Sequence, residues 1–200
     1  MTIRVLSPAV AAGIAAGEVI ERPASVVKEL LENSIDSGAA VVAVEIQQGG
    51  LQSIRVTDDG SGIPANEIDL AFQRHATSKL VSLDGLSQID TFGFRGEALA
   101  SIAAAAHVRM LTRSSEMSTA AVVEVERGQL AHCAPEAAGR GTTVVVDALF
   151  STIPARLKFI KSVAAETARI RQVIDHMAMA NPDVRLTLRT PERTLLQTTG

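Results

Sequence analysis

The sequence predicts an α+β fold: a mixed, mostly antiparallel sheet with helices on one of its faces. Three observations carry this. Runs of period-two alternation and runs of helical periodicity interleave along the 200 residues without a strict strand–helix–strand repeat. Two alternating runs, 41–48 and 54–56, are joined by Gly49-Gly50 and read as a β-hairpin, the unit of an antiparallel sheet. With five Phe and neither Trp nor Tyr, the core has to be aliphatic, and alanine-rich helices pack closely on a sheet.

In chain order, residues 8–16 read as a short N-terminal helix. Pro23 suits the first turn of the next helix, where its missing N–H is not needed, and Gly38 is placed to end that helix in a left-handed conformation. The hairpin follows. A helix is expected over 66–75, then a weakly periodic segment over 76–92, then an alanine-rich helix from Gly96 to about Ala106. Strands are expected at 108–112, 119–126 and 142–146. A turn and short helix over 154–160 precede a longer helix at 164–180, a strand at 184–189, and a last strand-like run at 195–200.

Three short blocks point to chemistry. The first is Glu29-Leu30-Leu31-Glu32-Asn33-Ser34-Ile35-Asp36. On a wheel at about 100° per residue, Val26, Val27, Leu30, Leu31 and Ile35 fill about half the circle. Glu29, Asn33 and Asp36 fall in an arc of roughly 60° on the other side. A carboxylate there can act as general base toward water, and the Asn33 amide oxygen is a donor that Mg²⁺ accepts beside phosphate and water. The same arc also reads as an ordinary solvated helix face, although Asn is a modest helix former for that purpose.

The second block, Asp58-Asp59-Gly60-Ser61-Gly62, ends the returning hairpin strand. An Asp there can accept a hydrogen bond from an exocyclic amine such as adenine N6, and Gly60 and Gly62 leave room for a flat base against the backbone. An Asp-Gly turn is the plain alternative. The third block is Gly93-Phe94-Arg95-Gly96-Glu97-Ala98-Leu99 at the start of the alanine-rich helix. Free N–H groups at a helix start favour an anion, and an arginine is a common phosphate partner. The segment before it opens with Arg74-His75-Ala76-Thr77-Ser78-Lys79. A loop of its length is usually functional or mobile. Neither a P-loop nor the dinucleotide-binding glycine fingerprint is present.

Together the three blocks resemble the signature motifs of the GHKL ATPases, a superfamily of type II topoisomerases, heat-shock chaperones, histidine kinases and MutL mismatch-repair proteins. Three longer strings resemble the MutL branch in particular. They are Ile14-Ala15-Ala16-Gly17-Glu18-Val19-Ile20-Glu21-Arg22-Pro23, Arg74 through Lys79, and Gly93 through Ser101. The likeness runs from Ile3 to Lys161 and then fades. The Arg74-to-Lys79 string, with no phosphoacceptor His segment, argues against a topoisomerase or kinase branch.

The resemblance implies the two-layer α/β sandwich of the GHKL fold and a Mg-ATP hydrolase. In it Glu29 is the base, Asn33 the Mg²⁺ ligand, and Asp58, with Gly60, Gly62 and Thr142, the adenine pocket. Asp36 joins the nucleotide-binding set, and Thr77, Ser78, Lys79 and Gly93, Phe94, Arg95, Gly96, Glu97, Ala98 and Leu99 wrap the triphosphate. It further implies an arm before Pro23 that crosses to a second copy on ATP binding, giving an ATP-dependent homodimer. A mismatch-sensor protein, other repair factors and weakly bound DNA are the implied partners. The chain is expected to be one ATPase domain, an N-terminal fragment of a longer protein whose next domain supplies a lysine to the γ-phosphate. Two departures stand out. Many relatives have Asp-Asn-Gly where this chain has Asp58-Asp59-Gly60, which adds a charge near the base pocket. Many have Phe-Tyr-Asn-Thr-Pro-Ala-Arg where this chain has Phe150-Ser151-Thr152-Ile153-Pro154-Ala155-Arg156.

Composition bounds the rest. A hydrophobic content of 46% supplies a core. There is no run of about 18 apolar residues and no secretory signal pattern, so the reading is an intracellular protein, in the cytoplasm or nucleoid if bacterial. The single Cys133 excludes an intrachain disulfide. The four His residues lack metal-ligand spacing. A net charge of −3 does not point to nucleic acid. Residues 156–171, however, set Arg156, Lys158, Lys161, Arg169 and Arg171 against Glu166 alone. That stretch reads either as a phosphate-facing patch or as a solvated helix.

Overall fold

The computed structural model describes residues 17, 19–77, 92–93, 96–126 and 128–200. The helix expected at 8–16, most of the segment 76–92, and Ser78, Lys79, Phe94 and Arg95 lie outside the described residues.

Helix α1 (Pro23–Asp36) starts with Pro23 in its first turn and buries Val26, Val27, Leu30 and Leu31. The N–H groups of Ser37 and Gly38 close it on Asn33 and Ile35, and Gly38 has φ +74°, as its position in the sequence predicts. Strand β1 (Val41–Gln47), a single 3₁₀ turn (Gln48–Gly50) and β2 (Ser53–Asp58) form the hairpin. Helix α3 (Ala98–Ala105), β3 (His107–Arg113), β4 (Ala120–Glu126) and β6 (Gly141–Asp147) fall where alternation and alanine content place them. So do α4 (Pro154–Leu157), α5 (Val163–Ala180), β7 (Arg185–Arg189) and β8 (Thr194–Gln197).

Two elements differ from expectation. The helix expected over 66–75 is a 3₁₀ turn (Ala65–Glu67) followed by one turn of helix, α2 (Ile68–Ala71). Ile68 is its only buried residue, and most helical stability in proteins comes from a packed apolar face. Strand β5 (Gln129–Glu136) is the other. It carries Pro135 and sits at the sheet edge, where a missing N–H is tolerated.

Among the described residues the eight strands run in the order β5-β4-β3-β6-β2-β1-β7-β8. Among these strands β1 and β7 are the one parallel pair. Helices α1, α3 and α5 pack on the sheet, with α1 against α5. Side chains one residue apart point to opposite faces, so the register sorts them into rows. One row reads Leu188, Val44, Val56, Val144, Met110, Val123 across six strands. The next reads Ile46, Ile54, Val146, Val108, Val125. All eleven are buried in the core. On the same face, at the other end of these strands, the row is Leu186, Val42, Asp58, Thr142, Thr112. The core face turns polar at the centre of the sheet, and this places the site.

The basic stretch 156–171 is interrupted in the fold. Glu166 is only 1% exposed, and its Oε1 lies 3.3 Å from Arg22 and 4.0 Å from Arg169. Arg156 donates to the carbonyl of Gly17, and Arg171 pairs with Asp175 at 3.8 Å.

Candidate nucleotide-binding site

A cavity of about 960 Å³ opens between α1, the polar ends of β2, β3 and β6, and the start of α3. It is at the upper end of the range that encloses a small ligand or cofactor. Helix α1 contributes Glu29, Asn33 and Asp36 to one wall, the three residues that the helical wheel groups together. Asp58 and Thr142 lie at the base. Thr77, Gly93, Gly96, Glu97, Ala98 and Leu99 line the cavity as well. Leu30, Val56, Ile63, Met110 and Val144 supply apolar wall, suited to a flat base.

Asp58 is the best-organised group. Its Oδ2 accepts from Ser34 Oγ at 2.9 Å. Its Oδ1 accepts the N–H groups of Gly60 at 3.0 Å and Thr142 at 3.1 Å. Burial pushes its pKa above the ordinary aspartate value; the three hydrogen bonds pull the other way, and Asp59 adds a smaller upward push. Thr142 Oγ1 lies 3.0 Å from Thr112 Oγ1, and Thr112 Oγ1 accepts from the Ile63 N–H at 2.9 Å. A connected polar chain therefore runs from α1 to β3 across the base of the cavity.

The glycines of the second block make room for the protein's own chain, and Gly62 also lines the cavity. A Cβ on Gly60 would fall 1.9 Å from Ser37 Oγ, and one on Gly62 2.2 Å from the carbonyl oxygen of Arg113. The space they free is occupied by the protein itself. Gly60 is not on the cavity wall; it enters the site through its N–H on Asp58. Gly141, at φ +115°, would bring a Cβ 2.0 Å from the Asp58 carbonyl oxygen. Asp59 brings the extra charge that the sequence expects near the base pocket, where it adds to the upward push on Asp58. Its Oδ1 accepts the N–H groups of Ala40 and Val41, both at 2.9 Å, at the start of β1, and it does not line the cavity. Asp36 holds the entrance to the third block: its carboxylate accepts the N–H of Phe92, just before the block, at 3.1 Å and that of Gly93 at 3.4 Å.

Ser34 and Thr112 were not visible as site residues from sequence. Ser34 lies two positions before Asp36 on α1 and is buried, without the surface placement expected of a ligand contact. Thr112 sits at the end of a strand with no motif around it; only the cross-strand register aligns it with Thr142 and Asp58.

A family model described as histidine kinase-, DNA gyrase B-, and HSP90-like ATPase matches residues 20–134. The chain belongs to this ATPase family. Within the family it is similar to the DNA mismatch repair protein MutL of Staphylococcus aureus (strain Newman), at 48% identity over 198 residues, 99% of this chain and 29% of that protein. The chain thus spans under a third of the length of the curated relatives it matches. Among solved structures, the Aquifex aeolicus MutL ATPase domain complexed with ADP superposes with a TM-score of 0.73 at 31% identity, over 90% of this chain and 65% of that one. A structure described as the N-terminal domain of a DNA repair protein gives a TM-score of 0.79 at 29% identity, over 94% and 56%. The family's ATPase fold, an α+β mixed sheet with helices, is therefore the fold of this chain. No helix among the described residues is long and apolar enough to cross a membrane.

Proposed function

We propose that this chain is the ATP-hydrolysing domain of a MutL-type DNA mismatch-repair protein. The observation that carries it is the sharing of one cavity by Glu29 and Asn33 on α1, Asp58 and Thr142 on the sheet, and Gly96 through Leu99 at the start of α3. The bound adenosine nucleotide of a MutL ATPase domain at 31% identity supports the same reading. Asp58 accepts from adenine N6, with Thr142 beside it, and the apolar wall packs the ring. Thr77, Ser78, Lys79 and the third block hold the phosphates. Asp36 acts on them indirectly, by anchoring the backbone of Phe92 and Gly93.

Asn33 fits a hard cation. It presents one neutral oxygen donor on the cavity wall, one turn from Glu29, which suits an ion that takes its other ligands from phosphate and water. When bound, Mg²⁺ would neutralise charge building on the phosphate oxygens. Glu29 takes the proton from the attacking water.

In this reading the domain belongs to a longer intracellular protein. ATP orders the segment 76–92 and joins two copies through the arm before Pro23. The assembly engages a mismatch sensor, other repair factors and, weakly, DNA. The second reading is a nucleotide-gated binding module with negligible turnover. Single-turnover phosphate release decides between them. Release that is Mg²⁺-dependent and lost in Glu29→Ala, with ATP binding retained, supports hydrolysis. Binding without release supports the module.

A further inference from the structure

Glu97 presents a difficulty for the site as proposed. It is the N-cap residue of α3, its side chain is 31% exposed, and it lines the cavity beside Gly96 and Ala98. The start of a helix attracts anions, but a carboxylate at that start repels a second anion such as polyphosphate.

The fold answers this charge from across the cavity rim. His75 Nδ1 lies 3.3 Å from Glu97 Oε1. The same residue donates its backbone N–H to the Gly96 carbonyl at 3.0 Å. His75 has φ +66°, a left-handed conformation that a non-glycine residue adopts at some cost. Gly96, at φ +61°, is packed so closely that a Cβ would lie 2.4 Å from the Ala76 carbonyl oxygen. Two segments far apart in sequence are thus joined by a main-chain bond, a close backbone contact and a side-chain pair.

We propose that His75 is a positioning residue for polyphosphate. Its imidazole holds and offsets the Glu97 carboxylate so that the N-terminus of α3 accepts the anion. The proposal rests on the nucleotide site proposed above and deepens it. The ligand class it concerns is a nucleoside polyphosphate, and His75 acts through Glu97 rather than on the phosphates themselves.

The test is calorimetric binding of ATP, ADP and adenosine to the full 200-residue chain and to His75→Ala, His75→Gln, Glu97→Gln and the double variant His75→Ala/Glu97→Gln. His75→Ala should weaken ATP several-fold, ADP less and adenosine little, because the unmasked charge acts on the phosphates. His75→Gln, which still donates to the carboxylate, should recover most of the loss. In the Glu97→Gln background the His75→Ala change should have little further effect. Equal losses for ATP and adenosine, or the same loss with and without the Glu97 carboxylate, would make His75 a scaffold residue and overturn the proposal. Unchanged ATP affinity in His75→Ala would overturn it as well. If the unsubstituted chain binds none of the three ligands, the nucleotide site itself is wrong, and that result is distinct from the others.

Discussion

Asp58→Asn separates what the carboxylate does for folding from what it does for recognition. In the folded chain Oδ1 accepts from Gly60 and Thr142, and Oδ2 from Ser34. An asparagine keeps Oδ1 for the two N–H groups. Its amide then faces Ser34, whose hydroxyl can rotate to accept. The substitution removes the charge and reverses one hydrogen bond, that to Ser34. Burial raises the pKa of Asp58 in the folded state. A carboxyl with a raised folded pKa contributes stability in full below its unfolded pKa of about 3.9, and that contribution is lost as pH rises through the folded value. At neutral pH the ionised group therefore opposes folding, and the variant should be the more stable protein. Its advantage should shrink as pH falls toward the unfolded pKa. Recognition should change in the other direction. Losing a charged acceptor for the adenine amine costs about 1.5–3 kcal/mol, or roughly 10- to 150-fold in ATP affinity, with weaker preference for ATP over GTP. Urea titrations across pH and calorimetry with both nucleotides measure the two effects. A variant that is less stable at neutral pH, or that binds ATP as the parent does, would refute this account of Asp58.

Glu29→Gln should bind ATP but lose about 10²–10⁴ in single-turnover rate, the usual contribution of a positioned base; near-parental phosphate release would reassign the base. Gly141→Ala should destabilise by about 2 kcal/mol, within the range for overpacking, because φ is +115° and the added Cβ would lie 2.0 Å from the Asp58 backbone oxygen. Weaker nucleotide binding should accompany it, and a parental urea midpoint would contradict the packing. Arg22→Ala leaves Glu166, 1% exposed, with Arg169 alone at 4.0 Å. Breaking a fully buried pair costs 3–5 kcal/mol; with Arg22 32% exposed, about 2 kcal/mol is expected in a urea melt.

What was legible in the sequence is what local periodicity governs. Helix α1 announces itself through Pro23, its apolar half-circle and Gly38. The β1–β2 hairpin does so through alternation around Gly49-Gly50. The same wheel brought Glu29, Asn33 and Asp36 to one wall. Long-range register was not legible, and it brings Thr112 and Thr142 beside Asp58. Nor was the reason for Gly60 and Gly62, because their neighbours Ser37 and Arg113 come from other elements. Strand β5 was missed because Pro135 and mixed polarity weaken its pattern, and an edge position tolerates both. The helix over 66–75 was overestimated because a permissive sequence does not supply the packed face that holds a helix. Glu166, read as the lone acid in a basic stretch, is buried by the meeting of α5 with the α1 entrance, which no local pattern reveals.

The polar row Asp58–Thr142–Thr112 lies on β2, β6 and β3 at the middle of the sheet, and its Asp58–Thr142 bond joins residues 84 apart in sequence. A ligand seated on that row would clip distant stretches of chain together and withdraw from the unfolded state altogether. Occupancy would then register in the melting of the whole domain. At free ligand a hundredfold above Kd the gain is about 2.7 kcal/mol, which at about 2–4 °C per kcal/mol for a chain of this size amounts to roughly 5–11 °C. The sheet would serve as its own thermometer for which nucleotide it holds, so a heating curve taken with each candidate base could rank them without a label or a coupled enzyme.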